Sequence, residues 1–261
     1  KALMELEKYA SRAGDSEFAK AFLTALGPPG LTRLPASIAI HLRDAVRAGD
    51  PARQKAVAGS GRTILAMLGK ALAKGTNPRD PAYMGDQYFN DLRADGRAKH
   101  PLDGKVTYQG YQAQALVWQV HDGNPPFSKE FMENIAPDVI IQERHLREKA
   151  WKVNDEYGWP QRPSPDLAGV LGLGTLLKPP GMYAKAPTES SMVEPLLRHA
   201  ASSRELAQAL LGYSIPGFKQ TVLQYFLTSR MGVFAHVDDA TLLGDLLLTA
   251  TTGQDPTSKH L

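Results

Sequence analysis

Histidines beside carboxylates are the residues of this sequence that could bind a metal or transfer a proton. His121 and Asp122 are adjacent, and His145 lies three residues before Glu148 in a stretch of strong helix formers. Imidazole and carboxylate groups are the ligands of many catalytic zinc sites, so these four residues would suit a small helical metal-dependent hydrolase. A carboxylate-bridged metal pair requires the opposite order, Glu-x-x-His, on two helices, and the sequence shows neither feature.

The same residues also have a structural interpretation. The segment VHDG, 120–123, fits the end of a helix, with Gly123 as its cap and Asn124-Pro125-Pro126 as a turn. The charged residues around His145 and Glu148 have the pattern of a solvent-exposed helix face. The segment HVDD, 236–239, also places His beside Asp, but no further His or Asp lies at a spacing that would complete a metal site. The sequence therefore predicts no catalytic residue, no cofactor site and no metal site, and the hydrolase stays as the alternative.

A glycine-containing segment, AVAGSGRT at 56–63, resembles a damaged phosphate-binding loop. The required pattern is G-x-x-x-x-G-K-[ST], but Ala56 replaces the first glycine and Arg62 replaces the lysine. The residues before it form a helical pattern, whereas a phosphate-binding loop follows a strand. We expect instead a break between two helices at Gly59 and Gly61, with Thr63 beginning the second helix.

Three aromatic residues, Tyr108, Tyr111 and Trp118, cluster in one segment. Tyr111 and Trp118 are seven residues apart and therefore share one face of a helix. The simplest interpretation is a hydrophobic core. The alternative is a groove for a partner helix, because aromatic residues often anchor such interfaces.

The elements that position these residues are predominantly helical. In residues 62–74 the apolar side chains recur at the spacing of one helix face, and residues 192–200 repeat that pattern. We find no convincing strand, and DVII at 138–141 is the best candidate. The sequence predicts an all-α fold of about ten amphipathic helices, packed as an irregular array with repeated helix-turn-helix hairpins.

Helix boundaries can be predicted from capping residues. A capping residue precedes proline, the arrangement favoured at a helix start, at Asp50-Pro51, Asp80-Pro81, Ser164-Pro165 and Asp255-Pro256. Glycines placed to end helices in the left-handed conformation are Gly27, Gly49 and Gly75.

Residues 158–190 interrupt the helical pattern, with six prolines and five glycines. Such a composition is typical of a linker, with one short helix at 165–177. The predicted organisation is an N-terminal helical region, 1–157, a linker, 158–190, and a C-terminal helical region, 191–261.

The C-terminal region echoes residues 1–50. The segment DSEFAKAFLTALGPPGL, 15–31, resembles SRELAQALLGYSIPGF, 203–218, and both end in a Pro-Gly-apolar turn. Bulky and small residues follow the same order from Phe18 to Leu23 and from Leu206 to Leu211. We predict that the hairpins 15–34 and 203–222 superpose; chance similarity of two amphipathic helices is the alternative.

Composition limits the possible partners. The formal net charge is +3 over 261 residues, and no run of five Lys or Arg occurs, so a nucleic-acid-binding helical module is only the second alternative. The chain has no cysteine, which removes thiol nucleophiles and thiolate metal sites. The longest nearly apolar run, 167–177, is too short to span a bilayer. The chain begins KALMELEKYA, without an initiator Met, which indicates a processed or excised piece of a longer protein.

Three stretches carry a family resemblance. They are DSEFAKAFLTALGPPGLTRL, the segment from Tyr108 to Arg144, and LAQALLGYSIPGFKQTVLQYFLTSR followed by LGDLLLTATTG. In this order they resemble a family of large, helical, mostly uncharacterised actinobacterial proteins, found especially in streptomycetes. Those proteins look like the scaffold regions of WXG-type, type VII-secreted polymorphic toxins. The chain departs from the family pattern at Trp118 and Gln119, where aliphatic residues are common.

The resemblance implies a non-enzymatic helical scaffold or trafficking module. It implies that the chain is secreted or on the cell surface, exported without a cleavable signal peptide in this segment. A protein partner is expected: a secretion component, a toxin domain or an immunity protein. No nucleic acid and no membrane span are expected, and the oligomeric state is left open.

Overall fold

A computed structural model describes residues 2–103, 106–157, 192–216, 219–230 and 237–252 of the chain. The first half contains α1 (Ala2–Glu7), a 3-10 helix (Ala10–Gly14), α2 (Ser16–Arg47), α3 (Pro51–Gly75) and α4 (Asp86–Arg97). Next come β1 (Lys99–Asp103), β2 (Val106–Gln109), α5 (Gly110–Val120), α6 (Lys129–Asn134) and α7 (Ala136–Tyr157). The C-terminal part contains α8 (Glu194–Ala201), α9 (Arg204–Leu211), α10 (Val222–Tyr225), a π-helical turn (Phe226–Arg230) and α11 (Val237–Thr251). The predicted all-α, multi-helix class is confirmed.

The start of α3 lies where capping chemistry places it. Asp50 accepts a hydrogen bond from the Arg53 N–H at 2.9 Å, and Pro51 opens the helix. The prediction of a helix start at Asp80-Pro81 is wrong. The Asp80 carboxylate accepts from the N–H of Ala82, only two residues on, and pairs with Lys74 at 3.0 Å, so it closes a turn. The other predicted starts, Ser164-Pro165 and Asp255-Pro256, and the short helix at 165–177 lie outside the described residues.

Glycines end helices at two of the three predicted positions. Gly27 and Gly49 have φ of 63° and 64°, a backbone region that other residues rarely adopt. At Gly27 the non-helical backbone divides α2 into two helical segments, residues 16–26 and 28–47, and the second segment begins at once with Pro28 and Pro29. Gly75 is helical, and the prediction of a left-handed cap there is wrong; a Cβ at this position would overlap Leu23.

One short antiparallel hairpin contradicts the expectation that the chain has no strand. β1 and β2 pair His100 with Tyr108 and Pro101 with Thr107. β1 ends at Asp103, and the sequence continues with Gly104; Asp-Gly is a dipeptide typical of tight hairpins, and residues with high strand propensity follow it. The other strand candidate, DVII at 138–141, lies in α7, as its helical continuation indicated.

A single hydrophobic cluster connects the described elements. α5 lies at its centre, in contact with α2, α3, α4 and α8. Residues on both sides of the predicted linker 158–190 belong to this cluster; Met192, Leu196 and Leu197 are fully buried in it. The linker itself lies outside the described residues, so the domain boundaries stay a prediction.

The two similar stretches, 15–34 and 203–222, share a helix but differ in the turn. Ala19 and Ala207 are both fully buried at equivalent positions, and so are Leu23 and Leu211. After its local turn at Gly27, the first stretch is helical again through Pro29-Gly30-Leu31. The second leaves the helix at Gly212, and Ser214 pairs with Thr221 in an isolated bridge. The predicted superposition of the two hairpins is therefore wrong.

No helix in the described part of the chain is both long enough and apolar enough to cross a membrane. The long helices α2 and α3 carry charged residues along their length, such as Arg43 and Arg53.

Candidate functional site

The aromatic cluster belongs to the core. Tyr108, Tyr111 and Trp118 are exposed by 5%, 0% and 1%. The Trp118 ring lies 6.2 Å from the Tyr111 ring and 6.2 Å from the Phe131 ring. The core interpretation is confirmed, and the partner groove at these residues is wrong because no face of them reaches solvent.

Residues 56–63 form neither a loop nor a break. They lie inside the uninterrupted helix α3, so the phosphate-loop geometry is absent and the expected break at Gly59 and Gly61 is wrong. Gly61 instead permits close packing of α3 on α2, since a Cβ there would lie 2.7 Å from the Ile38 side chain. The glycine pattern therefore reflects helix packing.

The candidate metal ligands are dispersed. His121 and Asp122 follow α5, so the predicted helix end and turn are confirmed, but the cap is His121, whose N–H donates to the Val117 carbonyl, and the prediction of Gly123 as the cap is wrong. Gly123 has φ 78° within the turn. His145 is exposed on α7; Glu148 lies on the same helix, but its side chain falls outside the described set, as does His236. Glu143 is buried and accepts from the Val193 N–H at 3.2 Å. Among the described residues no three His, Asp or Glu side chains form a group that could hold a metal.

His121 instead contacts a histidine for which the sequence predicts no role. Its ring centroid lies 5.2 Å from that of His199 on α8. The Phe127 ring contacts both, at 4.8 Å and 4.9 Å, and stacks on Phe131 at 4.2 Å. The two imidazoles thus share an apolar pocket between the end of α5, α6 and α8, which we call the histidine contact.

Both imidazoles are kept neutral. Burial lowers the pKa of His121, and burial lowers the pKa of His199 to about 4. Asp122 lies 3.8 Å from the His121 Nδ1 and pairs with Lys70 at 3.3 Å. Burial alone would raise the pKa of Asp122, but its bonds with the Asn124 N–H and Lys70 outweigh this and lower it. A carboxylate is therefore present at the edge of the pocket, already engaged with a lysine.

A buried carboxylate joins three helices. Asp138, near the start of α7, accepts from Arg97 at the end of α4, with a Nε–Oδ2 distance of 2.8 Å. It also accepts from the hydroxyl of Tyr111 on α5. Gly96 makes room for the Tyr111 ring, since a Cβ there would overlap it. This arrangement positions α4, α5 and α7 relative to one another through hydrogen bonds to a single carboxylate.

A second cluster of hydrogen-bonded polar side chains lies between α2, α4 and α5. Thr32 donates to Asp95, and the side-chain amide of Gln114 donates to Thr32 and to the Leu92 carbonyl, both at 3.3 Å. His100 of β1 stacks on Tyr108 and lies 3.6 Å from Asp95. Each of these contacts crosses between elements, so the group acts as a structural connection within the fold.

One exposed and two half-buried aromatic rings lie side by side near the N-terminus. The rings of Tyr9 and Phe18 lie 6.2 Å apart and nearly parallel, and Phe18 and Phe22 lie 5.6 Å apart in the same way. Tyr9 is 49% exposed, and both phenylalanines are half-buried. The Arg12 guanidinium lies 5.3 Å from the centre of the Phe18 ring. We call Tyr9, Arg12, Phe18 and Phe22 the aromatic surface.

A shallow groove runs between α8 and α11. Its volume is about 460 Å³, and its rim carries Leu248, which is 63% exposed. Arg198 lines it and pairs with Glu194 one turn earlier on α8, while Thr249 donates to the Ala201 carbonyl. The groove has a mixed lining and holds no convergent set of reactive side chains.

Several of these features had only partial signals in the sequence. Phe18 and Phe22 are four residues apart, a spacing that places two rings on one helix face. His121 and His199 are separated by 78 positions, and no local pattern connects them. Asp138 and Arg97 are similarly remote, so their pairing becomes visible only in the fold.

No protein-family model matches the chain, and comparisons with curated proteins and with solved structures found no match either. The surfaces of the chain itself are therefore the guide to its function.

Proposed function

We propose that this chain is a non-enzymatic helical scaffold that works through protein–protein contacts, with the aromatic surface as its contact site. The aromatic surface is the observation that supports this proposal most. Tyr and Arg are the residues that most often dominate the energy of protein interfaces, and Phe is also enriched there. Here they occur together, with Tyr9 half in solvent although most large apolar side chains of the described chain are buried.

The chemistry of the surface indicates the kind of partner. Stacked rings offer flat apolar area whose side chains have little conformational freedom to lose on binding. Arg12 adds one cation at the side of the rings. A partner that presents an apolar helix face with one carboxylate at its edge would bury the rings and pair with Arg12.

The family resemblance supports a more specific proposal. We propose that the scaffold is part of an exported actinobacterial protein, and that its partner is a secretion component, a toxin domain or an immunity protein. Peptide mass spectrometry on culture medium and cell lysate of the source organism tests the export. Peptides of this chain in the medium would support it, and their restriction to the lysate would contradict it.

A site-specific photocrosslink tests the contact site directly. A benzoyl-phenylalanine is placed at position 9, within the aromatic surface, in the natural gene product and in its own cells. The control carries the same photoreactive residue at Val46, which is 39% exposed near the end of α2 and is not one of the four residues of the aromatic surface. We expect position 9 to give a covalent adduct with a defined protein, and Phe18→Ala to remove it.

Two outcomes would contradict the scaffold proposal. One is an adduct pattern at position 9 that is the same as at position 46. The other is an adduct that persists at full yield in the Phe18→Ala variant.

A further inference from the structure

The histidine contact joins two parts of the chain that are remote in sequence. His121 belongs to the segment that leaves α5, whereas His199 belongs to α8, beyond residues 158–190. The His121 side chain is fully buried, and His199 is 9% exposed. Phe127 and Phe131 close the pocket on one side. The contact is therefore part of the surface by which α8 packs on the N-terminal part of the core.

The hydrogen bonds determine which ring nitrogen of each neutral imidazole carries the proton. The Nε2 of His121 lies 2.8 Å from the Pro125 carbonyl oxygen, and the Nε2 of His199 lies 2.9 Å from the Trp118 carbonyl oxygen. A carbonyl only accepts, so both Nε2 atoms donate and both Nδ1 atoms carry the lone pair of the neutral ring. The Nδ1 of His121 is buried and has no hydrogen-bond partner. The nearest carboxylate oxygen, that of Asp122, lies 3.8 Å away, so a proton added at this Nδ1 would have no acceptor within hydrogen-bond distance.

Burial disfavours such a charge more than the charged groups around the pocket favour it, because these groups act in opposite directions. Lys70 faces it from α3, and Arg198 faces it from α8; both are cations. Asp122 is the anion that faces both rings, and it is bonded to Lys70 and to the Asn124 N–H. Two imidazolium ions 5.2 Å apart would also repel each other in a medium of low dielectric.

We propose that the histidine contact is an acid-sensitive connection, and that protonation of His121 and His199 releases α8 from the end of α5. Release would expose the face of α8 that is buried at neutral pH, including Leu196 and Leu197. The proposal concerns regulation of the fold and is independent of the aromatic surface.

The direction of the pH dependence follows from linkage. The pKa of both histidines is lower in the folded chain than the ordinary value of 6.5, so the unfolded or released state binds more protons. The contact stabilises the fold fully above pH 6.5, and this stabilisation is lost as the pH falls below 6.5; the contribution of His199 is lost progressively down to about pH 4. Each histidine changes the opening equilibrium by at most about tenfold per pH unit.

Hydrogen–deuterium exchange of the full chain between pH 7.5 and 4.5 measures the release. Rates are normalised to the intrinsic exchange rate at each pH. We expect protection of residues 194–201 to fall at least tenfold between pH 6.5 and 5, while protection in α3 is retained. The His121→Gln/His199→Gln double variant is expected to lose this pH dependence, and the matched control, His145→Gln on the exposed face of α7, to keep it.

Equal loss of protection in the double variant and the wild type would overturn the proposal. An NMR titration of the wild-type imidazole signals provides a test that needs no variant. Two histidines that stay neutral below the ordinary pKa of 6.5 and become protonated only as α8 loses protection support the proposal. Titration of all seven histidines between pH 6 and 7 in the folded chain would overturn it.

Discussion

Asp138 shows how one side chain determines the relative position of three helices. Its carboxylate, 9% exposed, accepts from Arg97 of α4 and from Tyr111 of α5. Hydrogen bonds to a charged group are stronger than those between neutral groups, and a buried partner left unpaired costs more than the bond itself contributes. The Arg97 side chain is 50% exposed, so water can solvate it if the carboxylate is removed, whereas the Tyr111 hydroxyl is buried.

Replacing Asp138 with Asn should lower the free energy of unfolding by about 2 kcal/mol, because the amide is uncharged and a poorer acceptor for both donors. Urea unfolding monitored by circular dichroism measures the change. Asp91→Asn is the matched control, since Asp91 is exposed and accepts only from Gln87 one turn away. A loss below about 0.5 kcal/mol at position 138 would mean that the Asp138 group is not a structural connection.

At the scale of the element, helix caps differ in a way that residue type alone does not reveal. Asp15 accepts from the Phe18 N–H at 2.7 Å, and Asp50 accepts from the Arg53 N–H at 2.9 Å. Ser203 occupies the equivalent position before α9 but makes no side-chain cap bond. The two similar stretches of the chain therefore begin their helices differently.

Alanine substitutions at the three capping positions should distinguish the caps that form a side-chain hydrogen bond from the one that does not. We expect Asp15→Ala and Asp50→Ala each to destabilise the protein by about 1 kcal/mol, because each leaves an N–H of the first turn without its partner. Ser203→Ala should cost less than about 0.5 kcal/mol. Thermal unfolding of the three variants provides the comparison, and an equal cost at all three positions would contradict the assignment.

Two glycines of α3 occupy opposite environments. A Cβ at Gly69 would lie 2.7 Å from the Cβ of His121, whereas a Cβ at Gly59 would meet nothing within 4 Å. Gly69→Ala should destabilise the protein by about 1–3 kcal/mol, because a well-packed contact must separate. Gly59→Ala should stabilise it by about 0.5–1 kcal/mol through the higher helix propensity of alanine.

Both glycine variants can be compared by chemical denaturation in the same buffer. Stabilisation of the protein by both variants would show that helix propensity, and not the contact with His121, decides the effect at position 69.

Elements were predictable where a local signal was enough. The start of α3, the helix end at Val120 and the apolar face of residues 64–72 follow from caps and period, and the structure has them. The sequence does not predict the hairpin, because β1 and β2 are short and the residues of β1 do not alternate between apolar and polar. The continuity of α3 through Gly59 and Gly61 was missed because glycine usually marks a break, while here tight packing against Ile38 offsets the low helix propensity of Gly61.

At the scale of the whole molecule, the described residues before and after 158–190 share one core. Leu196, Leu197 and Ala200 are fully buried in it, and α9 packs on α6. The sequence pointed to separate regions, since composition identifies a Pro/Gly-rich stretch but not whether its flanks pack together. Contacts such as His121 with His199 depend on the fold and have no local signature.

If the chain is cleaved within residues 158–190, the two fragments should therefore remain associated. A protease site introduced at this stretch is cleaved at pH 7.5, and the product is analysed by gel filtration. We expect both fragments to elute as one complex, because separation would expose the buried apolar face of α8. Elution as two separate species at pH 7.5 would contradict the shared core, and intact chain at the same pH is the control.

The junction between α4 and α5 contains two kinds of glycine. The Gly110 N–H donates to the Ala98 carbonyl at 3.0 Å, and a Cβ at Gly110 would overlap the Asp95 carbonyl oxygen, which is backbone. At Gly96 an added Cβ would overlap the ring of Tyr111, a side chain that can itself be substituted by a smaller one. In evolution, position 110 should therefore be invariant among relatives of this protein. Positions 96 and 111 should instead covary, with a larger residue at one accompanying a smaller residue at the other.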